Sequence, residues 1–358
     1  MDPLALRRAR LRHHRLNARA SSVADAARHL TATQSQDLWG GRLALASRTR
    51  GAAVSHVDRA YDRGAIVRAW TQRGTLHTVA ADDLAWILSV TGPRMLVLEE
   101  RRMADLGLSR DDVARAEAVA RGALRGGGRL TRAEIAAVWE SGGVATAGQR
   151  TYHLIAALAV VGVLVWGPVV HRAGVEPREQ HLVLAEDWIT ASTAPADPEA
   201  ELFVRYIAGH GPATVRDYAW WAGLALTPAR AAAERAADRV RTVADEGGDP
   251  LYASASPPRA SADAPRTIAL PTFEEYYIAY ADRGRVCTSE VLAAAGPGAN
   301  GMVRPVIVHD GEIVGLWRPP AMAVRATGEA SFELLEGADG SPEDVQGAVD
   351  RALHILRS

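Results

Sequence analysis

The chain has 358 residues, 48% of them hydrophobic and 23% charged, the balance of soluble globular domains and more length than one core usually organises. Its longest strongly apolar run, residues 154–167, is too short to span a bilayer, and a single cysteine, Cys287, excludes an internal disulfide and any cysteine-based zinc site. The net charge of −1 hides an asymmetry: residues 1–80 hold fourteen Arg against five Asp and no Glu, a net +9, so the remainder carries −10, which points to a polyanion facing the N-terminal region. All 41 basic residues are arginine, so Schiff-base, P-loop and pyridoxal chemistry have no side-chain amine to use.

The first twenty residues place charge where a signal peptide needs an apolar centre. They read as a basic arm of a cytoplasmic protein, with His13 and His14 in it far from any acidic partner. Ser22 is placed to cap a helix over 23–30, the segment TATQSQ at 31–36 is expected to be extended, and a further helix follows it to about Thr49. Helical spacing continues over 57–70, and 71–80 reads as a turn into a strand, with Gly74 at the turn. The outline of helix then strand recurs in a capped helix at 130–143 and a helix leading to a hairpin-like strand at 148–172. It recurs again where Thr214 and Thr227 are placed to start two helices joined by a short turn.

Residues 245–267, rich in Pro, Ser, Ala and Asp, read as a loop or linker. After it come short β-like runs at 266–273, 303–311 and 312–319, with a hairpin signal at His309-Asp310-Gly311-Glu312, and a closing helix capped by Ser341. The expected class is α+β, with tandem winged-helix units followed by a β-rich domain. The expected divisions are 1–125, 126–195, 196–257 and 258–358.

Three stretches, residues 29–49, 67–88 and 270–283 followed by 300–319, resemble in order and spacing the winged-helix family of AlkZ-type and YcaQ-type DNA glycosylases. The resemblance implies a concave surface of winged helices holding duplex DNA, with a catalytic Gln-x-Gln segment, here Gln34-Ser35-Gln36, facing the damaged nucleotide. It implies bulky or crosslinking alkylation as the damage, in repair or in self-resistance of a genotoxin producer. Ser35 departs from the apolar middle residue usual in the AlkZ-type pattern.

Residues i and i+2 of an extended segment share a face, so Gln34 and Gln36 can act on one water. Their amides donate and accept but are poor bases near neutral pH. Such a pair suits a lesion that already carries positive charge, such as an N7-alkylated purine, whose base leaves as a neutral species. On spacing alone, a backbone-tying role is the commoner one for such a pair, and it is the resemblance that favours the catalytic role. Without lysine, a glycosylase of this kind is expected to be monofunctional, hydrolysing the bond without strand nicking.

Arg68, Arg73, Thr75 and His77 are candidate DNA contacts around the first turn, His77 fitting a satisfied core histidine equally well. Gln149, Arg150 and His153 at a helix start, and Arg216 in the third unit, are the others. Of Trp220 and Trp221, at least one is expected to pack in a core. Glu274, Glu275 and Asp282 form an acidic group, expected chiefly to pair with Arg283, Arg285 or Arg304; Glu275 and Asp282 can also support the attacking water. No cofactor or metal is expected, and the protein is expected to act as a monomer on duplex DNA. The competing readings are a non-catalytic winged-helix regulator and a protein that sequesters the genotoxin itself.

Overall fold

The computed structural model describes residues 1–173, 175–243, 250–299, 301–321, 327–335 and 339–358. Packing divides the chain into two compact units, Met1–Val57 with Glu199–Ser358, and Asp58–Pro198. Each combines helices with antiparallel strands, an α+β architecture.

The chain starts with helix α1 (Pro3–His13), where the Asp2 carboxylate accepts the Ala5 N–H at 2.9 Å and Pro3 occupies the first turn, in which a missing N–H costs nothing. The basic arm expected here is therefore a packed helix. Leu6, Ala9, Arg10 and His13 follow i, i+3, i+4, i+7 spacing, so the buried stripe carries an arginine and a histidine inward with it. Ser22 caps α2 (Val23–Leu30) as expected, accepting the Asp25 N–H at 3.1 Å. Next come the two-residue strand β1 (Thr33–Gln34) and α3 (Leu38–Ser47), every residue of which is buried.

Helix α4 (Val54–Asp62) stops well short of the helix expected over 57–70. Gly64, at φ +70°, turns the chain out of the helix, and the β-branched Ile66 and Val67 begin strand β2 (Ile66–Gln72). Arg68 thus lies on a strand. Strand β3 (Thr75–Ala80) returns through Arg73 and Gly74, both at positive φ, as a tight two-residue hairpin turn requires.

Helices α5 (Leu84–Asp105), α6 (Arg110–Leu124), α7 (Arg132–Ser141) and α8 (Arg150–Val160) follow. Thr131 and Glu134 close a capping box on α7. Strands β4 (Leu164–Val169) and β5 (Gln180–Leu184) complete an antiparallel order β3-β2-β4-β5, with Arg68 opposite Thr78 on one side and Trp166 on the other. A short helix, α9 (Ala185–Trp188), ends the stretch.

The chain then returns to the first unit with α10 (Pro198–His210), α11 (Val215–Ala222) and α12 (Leu226–Arg235). Thr214 caps α11 in a box with Asp217, whereas α12 starts from Ala225 and not from Thr227. Thr227 lies inside the first turn beside Pro228, a turn that leaves proline nothing to lose. Strands β6 (Val240–Val243) and β7 (Leu251–Ser254) pair antiparallel. The loop expected over 245–267 is thus corrected at 251–254, where Leu251 and Ala253 are buried on one face; residues 245–249 lie outside the described residues.

The remainder contains β8 (Thr267–Leu270), α13 (Glu275–Ile278), α14 (Ser289–Ala295), β9 (Val306–His309), β10 (Glu312–Arg318), β11 (Ser331–Leu334) and α15 (Pro342–Arg357). Its sheet runs β11-β10-β9-β8, all antiparallel, and the hairpin at Asp310-Gly311 again places both turn residues at positive φ. Leu11, Tyr276, Tyr277, Val286, Val306, Val308 and Leu316 share one buried cluster, which joins α1 to this sheet. Helix α15, capped by Ser341, packs along β8. Among the described residues no helix is long and apolar enough to cross a membrane.

Candidate active site

The Gln34-Ser35-Gln36 segment is fixed from both ends. Helix α2 buries Val23, Ala26, Ala27 and Leu30, and Thr31 at φ +67° and ψ −53° leaves it in a γ-turn closed by the Ala32 N–H on the Leu30 carbonyl at 2.7 Å, which directs Thr33 and Gln34 into an extended path. Ser35 is fully buried, its hydroxyl donating to the Thr33 carbonyl at 3.0 Å. Helix α3 closes against it: a Cβ placed on Gly41 would lie 2.1 Å from Ser35 Oγ, and one on Gly40 would lie 2.9 Å from Thr272 Cγ2. The small serine between the glutamines is the residue that this close approach admits. Gln34 is 8% exposed and Gln36 is half-buried.

Behind the segment lies a polar interior supplied by residues far away in sequence. The backbone N–H of Gln34 donates to Glu275 Oε1 at 2.8 Å. The other oxygen of Glu275 accepts Trp221 Nε1–H at 3.2 Å and lies 3.4 Å from His210 Nε2, all three side chains being buried. His210 Nδ1 donates to the Tyr206 carbonyl at 3.1 Å, and its ring stacks on Tyr206 with centroids 4.9 Å apart. The adjacent Glu274 forms a buried ion pair with Arg48, which also donates to the His14 carbonyl at 2.8 Å. The two carboxylates therefore divide their work. Glu275 holds the Gln-x-Gln backbone, and Glu274 neutralises the guanidinium that ties α3 to the end of α1.

His14 Nε2 donates to the Tyr280 hydroxyl at 2.7 Å, because that hydroxyl gives its own proton to the His210 carbonyl. Arg10 stacks over the Tyr280 ring at 3.7 Å and donates from Nε to the Pro212 carbonyl at 3.0 Å. Its two terminal nitrogens are buried without a hydrogen-bond partner, as are His13 Nε2 and His14 Nδ1. Burial pushes His14 well below the usual histidine range, with the neighbouring His210, Arg48 and Arg10 adding to the effect. Burial also takes His13 down to about 4, against the opposing hydrogen bond to Ala9, and takes His29 down to about 3 with help from Arg15. These imidazoles are neutral at physiological pH. Among the described residues there is no group of three or more His, Cys, Asp or Glu side chains that could hold a metal ion.

The other sequence candidates lie as follows. Glu275 is brought to Gln34, whereas Asp282 sits in an exposed turn, accepting the Gly284 N–H at 2.9 Å and lying 3.4 Å from Arg285. Of the arginines expected to pair with the acidic group, Arg285 meets Asp282, while Arg304 pairs with Glu333 and Glu274 takes Arg48. In the other unit, Arg68 donates to Gln180 Oε1 at 3.3 Å, Arg73 forms the hairpin tip, and Thr75 donates to the Gln72 carbonyl at 3.4 Å. His77 has no exposed surface, its Nδ1 donating to the Thr75 carbonyl at 3.0 Å. Gln149 accepts from Arg102, Arg150 donates to the Leu106 carbonyl at 2.9 Å, and His153 lies 2.8 Å from a Glu99 oxygen. Arg216 is exposed on α11 and lines a cavity of about 280 Å³. Trp221 is fully buried and Trp220 is 46% exposed, so one of the two packs.

Nothing in the sequence singled out Arg10, Arg48, His210 or Tyr280 as supports of this site. Of the four only Arg10 has a local signal, the i, i+3, i+4 spacing in α1 that marks it and His13 as inward.

The family model described as DNA glycosylase AlkZ-like matches residues 27–356. No curated protein sequence matches the chain. Among solved structures the chain is similar to the Streptomyces sahachiroi DNA glycosylase AlkZ, with a TM-score of 0.76 and 21% identity over 99% of this chain and 97% of that one, a likeness of fold.

Proposed function

The chain belongs to the AlkZ-like DNA glycosylase family and so hydrolyses N-glycosyl bonds in DNA; on that premise we propose that its substrate is a cationic N7-alkylated purine in duplex DNA. Gln34 and Gln36 position the attacking water. The observation that supports this reading is the engagement of Glu275. Both of its oxygens face buried donors, the Gln34 N–H and the Trp221 indole N–H, and the residue is 1% exposed, so this carboxylate holds the segment and does not activate water.

A site whose reacting side chains are neutral amides needs a leaving group activated in advance. An N7-alkylated purine provides it. The C1′–N9 bond breaks with its electron pair passing to the cationic base, which departs neutral, while water adds a hydroxyl to C1′ and releases a proton. The oxocarbenium character that develops on the sugar is stabilised by amide dipoles and by the phosphates of the substrate itself. Bulky adducts and crosslinks fall within the same class of leaving group, in repair or in self-resistance to a genotoxin.

The recurring helix–helix–hairpin order supports reading α7, α8, β4 and β5 as one winged helix, and α11, α12, β6 and β7 as another. With a first such unit within 1–125, these form the proposed DNA-binding segments 1–125, 126–195 and 196–257, the β-rich segment 258–358 supplying Glu275. Arg73 at a hairpin tip and the exposed Arg216 are the best placed of the proposed DNA contacts.

The test is release of 7-methylguanine from a methylated duplex by the wild type, Gln34→Ala, Gln36→Ala and the double variant, under single-turnover conditions. Losses of about tenfold to a thousandfold are expected, in the range of removing positioned hydrogen-bonding groups. Equal rates for wild type and double variant would overturn the assignment.

A further inference from the structure

A second cationic feature of the first unit lies at the junction between α1 and α2. Arg15, Arg19, Arg50 and Arg259 line a cavity of about 470 Å³ together with Asn17 and Ser261, and Asp263 is the one acidic residue at its wall. Three chain segments are held together there by their backbones. Ser261 N–H donates to the Asn17 carbonyl at 2.7 Å, and Arg50 N–H donates to the Ala20 carbonyl at 3.0 Å. Arg15 adopts φ +58°, and its Nη1 donates to the Ala18 carbonyl at 3.2 Å, so its guanidinium is already oriented.

The feature that sets this cluster apart is its thin counter-charge, Asp263 at the wall and Asp25 acting on Arg15 from beyond ion-pair distance. Elsewhere in the same unit, Arg205, Arg235, Arg239, Arg266 and Arg304 each meet a carboxylate. Among the described residues Arg19, Arg50 and Arg259 make no ion pair, and all three are exposed. Arg15 Nε and Asn17 Oδ1 are buried without a partner. Like charges gathered in a concave, backbone-tied wall repel one another, and an anion bound between them relieves that repulsion while accepting planar N–H pairs from arginine.

We propose that this cavity is an accessory anchor for the phosphodiester backbone of DNA, its arginines gripping one or two phosphates without reading sequence. Phosphodiester is favoured as the ligand because the cavity offers an arginine fork and neutral polar groups but no aromatic face on which a base can stack. The proposal rests on DNA being the substrate of the first unit and assigns residues outside the Gln-x-Gln site.

The experiment is equilibrium binding of undamaged duplex DNA by the full chain over a series of KCl concentrations. It compares wild type, Arg50→Ala/Arg259→Ala, and a control of equal charge change, Arg266→Ala/Arg304→Ala, taken from paired arginines. Each phosphate contact contributes about 0.9 to the slope of log affinity against log salt. The cavity variant is expected to lose about 1–2 units of slope and at least about tenfold in affinity at moderate salt, while the control keeps the wild-type slope. Excision at saturating protein is expected to be unchanged in the control. An unaltered slope in the cavity variant, or an equal loss in the control, overturns the proposal. So does a variant that loses competition by inorganic phosphate yet binds DNA like wild type, which makes the cavity a small-anion site. Because the readout is binding to undamaged DNA, a wild type that binds but fails to release 7-methylguanine counts against the catalytic reading alone.

Discussion

Acidification from pH 6 to pH 5 is expected to destabilise this protein steeply, with a dependence led by three histidines. His13, His14 and His29 all have folded pKa values below the unfolded value of 6.5, His13 at about 4 and His29 at about 3, with burial the leading cause in each. The unfolded chain therefore takes up their protons first, and their stabilising effect is present above pH 6.5 and drains away as the pH falls towards 4. At pH 5.5 each unfolded imidazole carries roughly nine-tenths of a proton and folded His13 and His29 almost none, a difference of about 1.8 protons for these two, to which His14 adds in the same direction. At about 1.4 kcal/mol per proton per pH unit, these two alone give a slope of about 2.5 kcal/mol per pH unit, against a typical total stability of about 5–15 kcal/mol. Urea unfolding at quarter-unit steps between pH 6.5 and 5 measures it directly, in a window where ordinary carboxylates stay ionised in both states. His29→Gln, which keeps a donor toward the His13 carbonyl that now accepts from His29 at 2.7 Å, is expected to lower the slope by about 1.2 kcal/mol per pH unit. A wild-type slope below about 1 kcal/mol per pH unit, or one untouched by His29→Gln, would refute the reasoning.

Glu275→Ala leaves two buried N–H donors without an acceptor, so a destabilisation of about 2–5 kcal/mol is expected by denaturant unfolding, together with a fall in kcat greater than any rise in KM. Glu275→Gln retains an acceptor oxygen toward Gln34 and is expected to recover most of the activity. Arg48→Met and Glu274→Leu, each alone, strand a buried charge and are expected to cost about 3–5 kcal/mol. The double variant is expected to cost far less than their sum; additive losses in a double-mutant cycle would show that the pair is uncoupled. Gly41→Ala forces a Cβ against Ser35, so it is expected to reduce excision more than stability, and Ser35→Gly added to it is expected to restore part of the rate.

The features legible in the sequence are those whose causes are local. Ser22, Thr131, Thr214 and Ser341 announce helix starts because the hydrogen bond that makes a cap spans three residues. The hairpin at 309–312 is legible because Asp-Gly tolerates two positive φ values in succession. The helix expected over 57–70 failed at Ile66 and Val67, where pairing with β3 and β4 decided the conformation against a short-range periodicity. The cap expected at Thr227 failed because the helix begins two residues earlier, from Ala225, which places Thr227 and Pro228 inside its first turn.

The candidate site was half legible. The glutamine pair stood out by resemblance, and Glu275 was singled out among several acids. Nothing local indicated that Glu275 would meet Gln34, nor that Asp282, a few residues on, would end in solvent. The burial of Arg10, His13 and His14 was hidden for the same reason. Charge within a sequence reads as surface, and only partners some two hundred residues away, such as the Pro212 carbonyl and Tyr280, make their burial tolerable.

The bond from Glu275 to the Gln34 amide spans 241 residues, and it has a consequence for the order in which the enzyme comes into being. A ribosome releases the glutamine segment early, yet the carboxylate that sets it arrives only after three-quarters of the chain has been made. During that interval α2 can form from its Ser22 cap and apolar face, while the stretch after it has no fixed backbone. The nascent chain is therefore expected to acquire helical content long before it acquires activity. Premature termination anywhere before the 270s would yield a fragment carrying both glutamines and no means of aiming them.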